Sequence, residues 1–362
     1  MELLLLSALI ATAPATLPQK RPKVGQNQDG FWAVLSRNFD VWDANHDGTL
    51  SGRETDPLVA DAQIRGADAA ALGALKMAQR AKKWDEIVWS RTNLEAIRMN
   101  QLKGPELGKT YSNALQKIQK TRRVLFAPGA PALTEFHQGR LGDCFFLAPI
   151  GAAIARDAAA VRAMFTQQTP GTFSVAFPGV APVVVTAPTD TELALTSATE
   201  NSGIWLTLLE KAFGEVRNRN KPEEKQKESV TDWIARGGSV KPVLETLTNH
   251  ETDSVPTRRA NASQLRERLE PALKARRLIC TGTPEKVETP GISPRHAYAV
   301  LGFDPTSDTI TLWNPHGNNF KPKGSSGKIN GYPMRSGTFS LPLLDFIDIF
   351  NAVVFETAKK AK

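Results

Sequence analysis

Cysteine is nearly absent from this chain: Cys144 and Cys280 are the two in 362 residues. That excludes a disulfide scaffold, so the fold must be held by buried apolar surface. Long apolar runs are also lacking near the N-terminus. Leu3 to Ile10 is too short to cross a bilayer, and no stable membrane insertion is expected. The formal net charge of +8 has no aromatic-basic stripe to accompany it. Runs such as Lys274-Ala275-Arg276-Arg277 fall on a predicted helix and read as a solvated face, so no nucleic-acid partner is expected. Histidines number five, which keeps the search for a catalytic base short.

Residues 1–15 read as a secretory signal, with an apolar centre and Ala13-Pro14-Ala15 as the small-residue cleavage site. The leading segment carries Glu2 where a positive charge is usual, and an ordinary N-terminus is the alternative. With the signal the mature protein is secreted or periplasmic; without it, cytoplasmic. Residues 16–30 are polar, with Pro, Gly and Gln, and are expected to be a linker.

Phe31, Val34, Leu35, Phe39 and Trp42 have the spacing of one helix face. They run into Asp43-Ala44-Asn45-His46-Asp47-Gly48-Thr49-Leu50-Ser51-Gly52-Arg53-Glu54, which meets the pattern of an EF-hand calcium loop. Asp43, Asn45 and Asp47 offer side-chain oxygens, Gly48 allows the sharp turn, Thr49 offers its carbonyl and Glu54 closes the loop. Ca2+ is the expected ion, and an Asx-rich turn that binds nothing is the alternative. No second such loop is evident, although these loops usually pair. Two or three helices are expected between Ala67 and Ile118.

Gln138-Gly139-Arg140-Leu141-Gly142-Asp143-Cys144-Phe145-Phe146-Leu147 sets a cysteine after a Gly-punctuated turn, at the head of an apolar segment of helical character. The positive end of a helix dipole favours thiolate there. Gln138 carries an amide that can donate to a developing oxyanion. Arg295-His296-Ala297-Tyr298-Ala299-Val300 reads as a strand, and Leu312-Trp313-Asn314-Pro315-His316 as a second, joined by a turn at Asp304-Pro305. That hairpin brings His296 beside Asn314 and gives a Cys-His-Asn triad with Cys144. Pro149 should bend this helix, or the helix starts later than Cys144.

These segments resemble the protease core of the calpain family, papain-like cysteine proteases. The likeness runs through QGRLGDCFF, then Trp205 to Phe213, Gly237-Gly238, the segment at His296, the segment at Asn314 and Gly337 to Leu341 with Asp345-Phe346, in that order. It implies an α+β fold, a papain-like core of two subdomains, a helical half and a β-sheet half, after a helical EF-hand-containing region. The expected domains are 31–114 for the helical region and 115–357 for the catalytic domain, split at about 235 and 236. It implies Cys144 as nucleophile, His296 as base, Asn314 as orienter and Gln138 in the oxyanion hole, acting on protein or peptide substrates. Many family members require calcium. Phe145 and His316 stand where the family usually has Trp, and His316 is a rival base. Glu135 and Glu210 match positions of a calcium site within animal calpain cores, though ordinary solvated acids explain them equally.

The leading expectation is a calcium-responsive cysteine endopeptidase. The alternative is a catalytically inactive, calpain-like protein that binds peptides in a calcium-dependent way. Acyl transfer by the same triad is a third.

Overall fold

In the computed structural model, Phe31, Val34, Leu35, Phe39 and Trp42 form one buried face of helix α1 (Gln26–Trp42). The structure describes residues 26–359 except Arg140, Glu200, Glu224, Lys225, Lys227, Glu228 and Arg236. The expected signal lies outside the described residues, as does the expected linker up to residue 25. The last five positions of that linker, from Gln26, belong instead to α1.

Four more helices complete the N-terminal bundle: α2 (Gly52–Val59), α3 (Gly66–Arg80), α4 (Arg91–Arg98) and α5 (Leu107–Lys120). The alanines of α3, Ala69, Ala70, Ala71, Ala74 and Ala78, are buried and let its neighbours approach closely. Pro57 falls in the second turn of α2 rather than its first, because that helix already begins at Gly52. Helix α5 runs through the expected boundary at 114. Leu107, Tyr111, Ala114 and Ile118 pack into the bundle core, so by packing the helical region extends to Lys120.

Helix α6 (Cys144–Ala163) follows, and its Phe146, Leu147, Ala148 and Ile150 are fully buried. Pro149 lies within this helix, and the non-helical residue is Asp157, eight positions later, not the proline. A small antiparallel sheet follows, of β1 (Phe165–Thr169), β2 (Thr172–Val175) and β3 (Val183–Thr186). Its β2–β3 pair is an antiparallel hairpin with Phe173 opposite Val185. Then come α7 (Asp190–Leu195), α8 (Trp205–Arg219), α9 (Thr231–Ala235) and α10 (Val240–Thr248). Asn218 is buried near the end of α8 and accepts from Trp233 Nε1 at 2.6 Å.

The remaining chain supplies β4 (His250–Pro256), α11 (Ala262–Lys274), β5 (Ile279–Gly282), β6 (Ala297–Asp304), β7 (Thr309–Trp313), β8 (Thr338–Pro342), α12 (Leu343–Ile349) and β9 (Ala352–Lys359). The strands form an antiparallel sheet in the order β4-β9-β5-β6-β7-β8. Strand alternation sends Cys280, Ala297 and Ala299 toward α6, and Ile279, Tyr298 and Val300 into a second core with α11 and α12. Gly151 of α6 sits against Trp313: a Cβ there would lie 2.5 Å from the indole ring. Small residues on both surfaces thus bring helix and sheet close enough to share one site. The basic run at 274–277 is not a helix face, since α11 ends at Lys274, Arg276 turns to φ 56° and Arg277 pairs with Glu356 at 3.5 Å.

Candidate active site

Helix α6 opens at Cys144, the first residue after the cap Asp143, whose carbonyl accepts from Phe146 N at 2.8 Å and Leu147 N at 3.0 Å. The thiol is free and partly exposed. The backbone N–H of Ala297 donates to its sulfur, which fixes the helix start against the residue following His296. His296 immediately precedes β6 and is held by both backbone atoms: its N–H donates to Thr283 Oγ1 at 3.0 Å and its carbonyl accepts from Thr283 N at 2.9 Å. Pairing of β6 with β7 places Ala299 opposite Trp313, and so brings Asn314 beside His296.

The His296 and Asn314 side chains meet at 2.8 Å, Nε2 to Oδ1. Asn314 is fully buried, and its Nδ2 donates to Asn318 Oδ1 at 3.1 Å. That contact sets the amide orientation, so Oδ1 accepts, Nε2 carries the proton and Nδ1 is the bare nitrogen of the ring. Burial, then the charge of the neighbouring His316, push the His296 pKa down to about 3, against the opposing hydrogen bond to Asn314. Burial likewise pushes the Cys144 thiol up, and the Ala297 N–H only partly offsets this. The helix dipole alone therefore does not yield the expected thiolate. Both shifts favour the neutral forms of the thiol and the imidazole, and a neutral ring can accept a proton.

His316 does not take the base position. Its ring stacks on His296 with centroids 4.1 Å apart at 18°, and its Nδ1 lies 3.3 Å from Ser293 Oγ. Its backbone N–H donates to Asn314 Oδ1 at 3.0 Å. Burial and His137 lower its pKa. His316 thus covers one face of His296, as a large aromatic ring would, while adding a group that can titrate.

Gln138 is anchored by its own N–H, which donates to Pro315 O at 2.7 Å, one residue past Asn314. Its Nε2 donates to Leu141 O, and its Oε1 is buried without a partner. An amide nitrogen has two protons, so one stays available beyond the Leu141 bond. Gly238 lies against Phe145, where a Cβ would come within 2.7 Å of the ring, and Gly237 has φ +72°. Both glycines lie at the start of α6, Gly238 on Phe145 and Gly237 beside Gly142.

The loop from Asp43 to Glu54 is built around its own backbone. Buried Asp43 accepts from Asp47 N at 3.1 Å and Gly48 N at 2.8 Å, and Asp47 accepts from Thr49 N at 2.8 Å. Asn45 Oδ1 accepts from Asp47 N at 3.0 Å. Glu54 accepts from Ser51 N at 2.8 Å and reaches Asn45 N at 3.4 Å. Partial burial would raise its pKa, but the hydrogen bonds from Ser51 and Asn45 prevail and lower it. The donors are hard oxygens on a turn with Gly48 at φ +80°, a set that fits calcium chemistry. As they stand they are drawn into internal hydrogen bonds, and among the described residues no three His, Cys, Asp or Glu side chains are gathered for a metal.

A second loop that the sequence did not reveal pairs with this one. Thr49 bridges Ser90, with Leu50 N donating to Trp89 O at 3.1 Å and Arg91 N to Gly48 O at 3.4 Å. Ser90 caps α4 as Ser51 caps α2. Aligning the two caps puts Lys82, Trp84, Glu86 and Asn93 opposite Asp43, Asn45, Asp47 and Glu54, so the oxygen pattern is lost and only the pairing geometry survives.

Sequence reasoning also missed that two acids near Cys144 are buried. Glu210, an ordinary solvated acid on one sequence reading, is fully buried, as is Asp143. A signal existed: Glu210 shares the helix face of Leu206, Leu209 and Phe213. Helix α6 is long and apolar enough to cross a membrane, but it is mostly buried within the protein, as a core helix is.

Comparison with protein families matches a model of the calpain family of cysteine proteases to residues 81–328. The matched region holds Cys144, His296 and Asn314 and leaves the 43–54 loop outside it. No curated protein matches the chain.

Proposed function

This chain belongs to the calpain family of cysteine proteases, and on that premise we propose that it is a calcium-responsive endopeptidase acting through Cys144, His296 and Asn314. The observation that carries the triad is the 2.8 Å contact of His296 with a fully buried Asn314, beside a thiol held by the next residue's N–H. His296 Nδ1 accepts the thiol proton as sulfur attacks the peptide carbonyl carbon. The oxygen becomes an oxyanion that the backbone N–H of Cys144 and the second Nε2 proton of Gln138 stabilise. His296 then gives its proton to the departing amine as the C–N bond breaks. Water, deprotonated by His296, releases the acid from the thioester and restores the thiol. Asn314 holds the imidazole in the tautomer this cycle needs.

Asp43, Asn45, Asp47 and Glu54, with the Thr49 carbonyl, are the residues that would hold Ca2+. When bound, the ion would cross-link the loop through these oxygens. A chain of ion pairs beyond the loop supports a calcium response. Asp56, two residues after Glu54, pairs with the buried Lys76 of α3. Lys76 also lies 4.0 Å from Asp232, which pairs with Arg80. Asp232 is in α9, which leads to Gly237 and Gly238 beside Phe145. Ordering of the loop is thereby linked through ion pairs to the wall of the active site.

Casein cleavage under reducing conditions, in excess calcium and in chelator, tests both parts. Activity abolished by Cys144→Ala with the fold retained supports the triad. Activity that also needs calcium and is lost in Glu54→Gln supports the loop. Absence of turnover in folded wild-type protein with calcium would refute the endopeptidase reading and favour the peptide-binding one.

A further inference from the structure

Helix α11 ends in a turn that usually carries glycine and here carries arginine. Beyond Lys274, Arg276 N donates to Leu273 O and Arg277 N to Ala272 O, both at 2.9 Å. That pattern closes a helix through one left-handed residue, most often Gly, and the residue here is Arg276 at φ 56°. A side chain at such a position is strained, where glycine is not. The Arg276 guanidinium reaches across to α6 and donates to the carbonyl of Arg156, just before the non-helical Asp157. Together with Arg277, these two arginines stand around a cavity of about 340 Å³.

The lining of this cavity is of two kinds. Its polar side chains are Arg156, Arg276 and Arg277, and the others are alanine, leucine or valine, so among the described residues neither an acid nor an aromatic ring lines it. The carboxylate that pairs with these arginines is that of buried Glu356, 3.1 Å from Arg156 and 3.5 Å from Arg277. Glu356 also accepts from Leu278 N at 2.6 Å, and His250 Nδ1 lies 2.6 Å from Glu356 and 2.7 Å from Arg277. Asp157 is occupied elsewhere, accepting from Ala160 N at 3.0 Å. Three guanidinium groups against one carboxylate leave positive charge in excess. Each guanidinium has five N–H donors, and the contacts above engage one terminal nitrogen of each. The other nitrogens make no bond to a described residue and are open to a ligand.

We propose that this cavity binds an aliphatic carboxylate, with its head on Arg156, Arg276 and Arg277 and its chain against the apolar floor. Guanidinium groups pair with planar carboxylates through charge-assisted hydrogen bonds, and Glu356 already holds two of the three in place. A floor of alanine, leucine and valine suits a saturated chain, with no ring on which an aromatic ligand would stack. The volume lies at the low end of the about 300–1,000 Å³ usual for ligand pockets, which admits a short chain and not a diacyl lipid. The site is separate from the proposed cleft. Ala152 and Arg156 lie about 12–18 Å along α6 from Cys144, at about 1.5 Å per residue. Its walls nonetheless belong to α6, which begins at Cys144, and to β6, which His296 precedes. A bound carboxylate would thus touch both elements at a distance from the thiol.

The test is calorimetric titration of the full chain with octanoate, butyrate and octanol, each below its micelle or solubility limit. The chain carries Cys144→Ala so that self-cleavage cannot intrude, and binding is read without any turnover. Octanoate should bind saturably, one molecule per chain, with affinity rising about 4-fold per methylene from butyrate to octanoate. Octanol, which keeps the chain and lacks the charge, should bind at least about 10-fold more weakly than octanoate. Arg276→Gly suits the left-handed turn and removes one guanidinium, so it should weaken octanoate by at least about 10-fold while the thermal unfolding curve stays cooperative. Should that variant fail to fold, Arg276→Asn fits the same turn and carries the same expectation. Ala155→Leu, at an exposed position on the cavity wall, should remove the gain from the longer chain. Butyrate or octanol binding as tightly as octanoate would overturn the proposal. So would octanoate affinity unchanged in a folded Arg276 variant, since the arginine would then serve only to cap α6.

Discussion

Removing the titration of His296 should flatten the acid instability of this protein. The ring is 6% exposed, and its pKa falls from 6.5 to about 3 in the folded state. Between those values the unfolded chain binds a proton that the folded chain refuses, so stability falls as pH drops through about 6.5. At about 1.4 kcal/mol per pKa unit, the ceiling on this effect is about 5 kcal/mol, complete only near pH 3. Over the first two pH units below 6.5 it amounts to about 2.7 kcal/mol. The substitution is His296→Gln, which is neutral at all pH and keeps an N–H for Asn314 Oδ1. It is made in a Cys144→Ala background so that self-cleavage cannot distort the curves. Urea unfolding would be followed at about pH 7.5, 5.5 and 4.5. His296→Gln is expected to lose some stability at the highest pH and to converge on its parent as pH falls, the gap closing by up to about 1.4 kcal/mol per unit below 6.5. Curves that stay parallel from neutral to acid would show that His296 is not held neutral by burial. The base assignment would then lose its electrostatic support.

Two neighbouring contacts make further outcomes measurable. In His316→Trp an indole replaces the ring that stacks 4.1 Å from His296. Positive charge on His316 depresses His296, so its removal should raise the His296 pKa and move the acid limb of kcat/KM to higher pH; an unmoved limb in peptide hydrolysis would refute the coupling. Gly151→Ala places a methyl group 2.5 Å from the Trp313 ring, and the overpacking should cost about 1–3 kcal/mol. Thermal unfolding should show a midpoint lowered by several degrees, whereas an unchanged midpoint would mean that α6 and β7 can separate without penalty.

The parts of this molecule that could be read from sequence are those encoded locally. The positions of Cys144, His296 and Asn314 in the fold were legible because each lies at an element boundary marked by its neighbours. Cys144 follows Gly142, and His296 and Asn314 flank strands whose alternation is plain, so pairing of Ala299 with Trp313 follows from the turn between them. The helical bundle was legible through apolar spacing, but not its end, since nothing local to Ala114 tells that Ile118 still packs into the bundle core. The second loop escaped for a similar reason. What defines it is the Thr49–Ser90 bridge, and a partner loop can keep that backbone geometry after losing the metal-binding pattern of side chains at the matching positions. Charge state was the least legible of all. Cys144 at a helix start suggests a thiolate, yet burial outweighs the dipole there. Glu210 is one acid among many in the sequence. Its place is set by packing: the Ser197 N–H donates to it, and the Ser197 hydroxyl to Asp143, 67 positions before it. Local pattern thus placed Cys144, His296 and Asn314 at the ends of their elements, while tertiary packing decides their burial, their contacts and the direction in which their pKa values move.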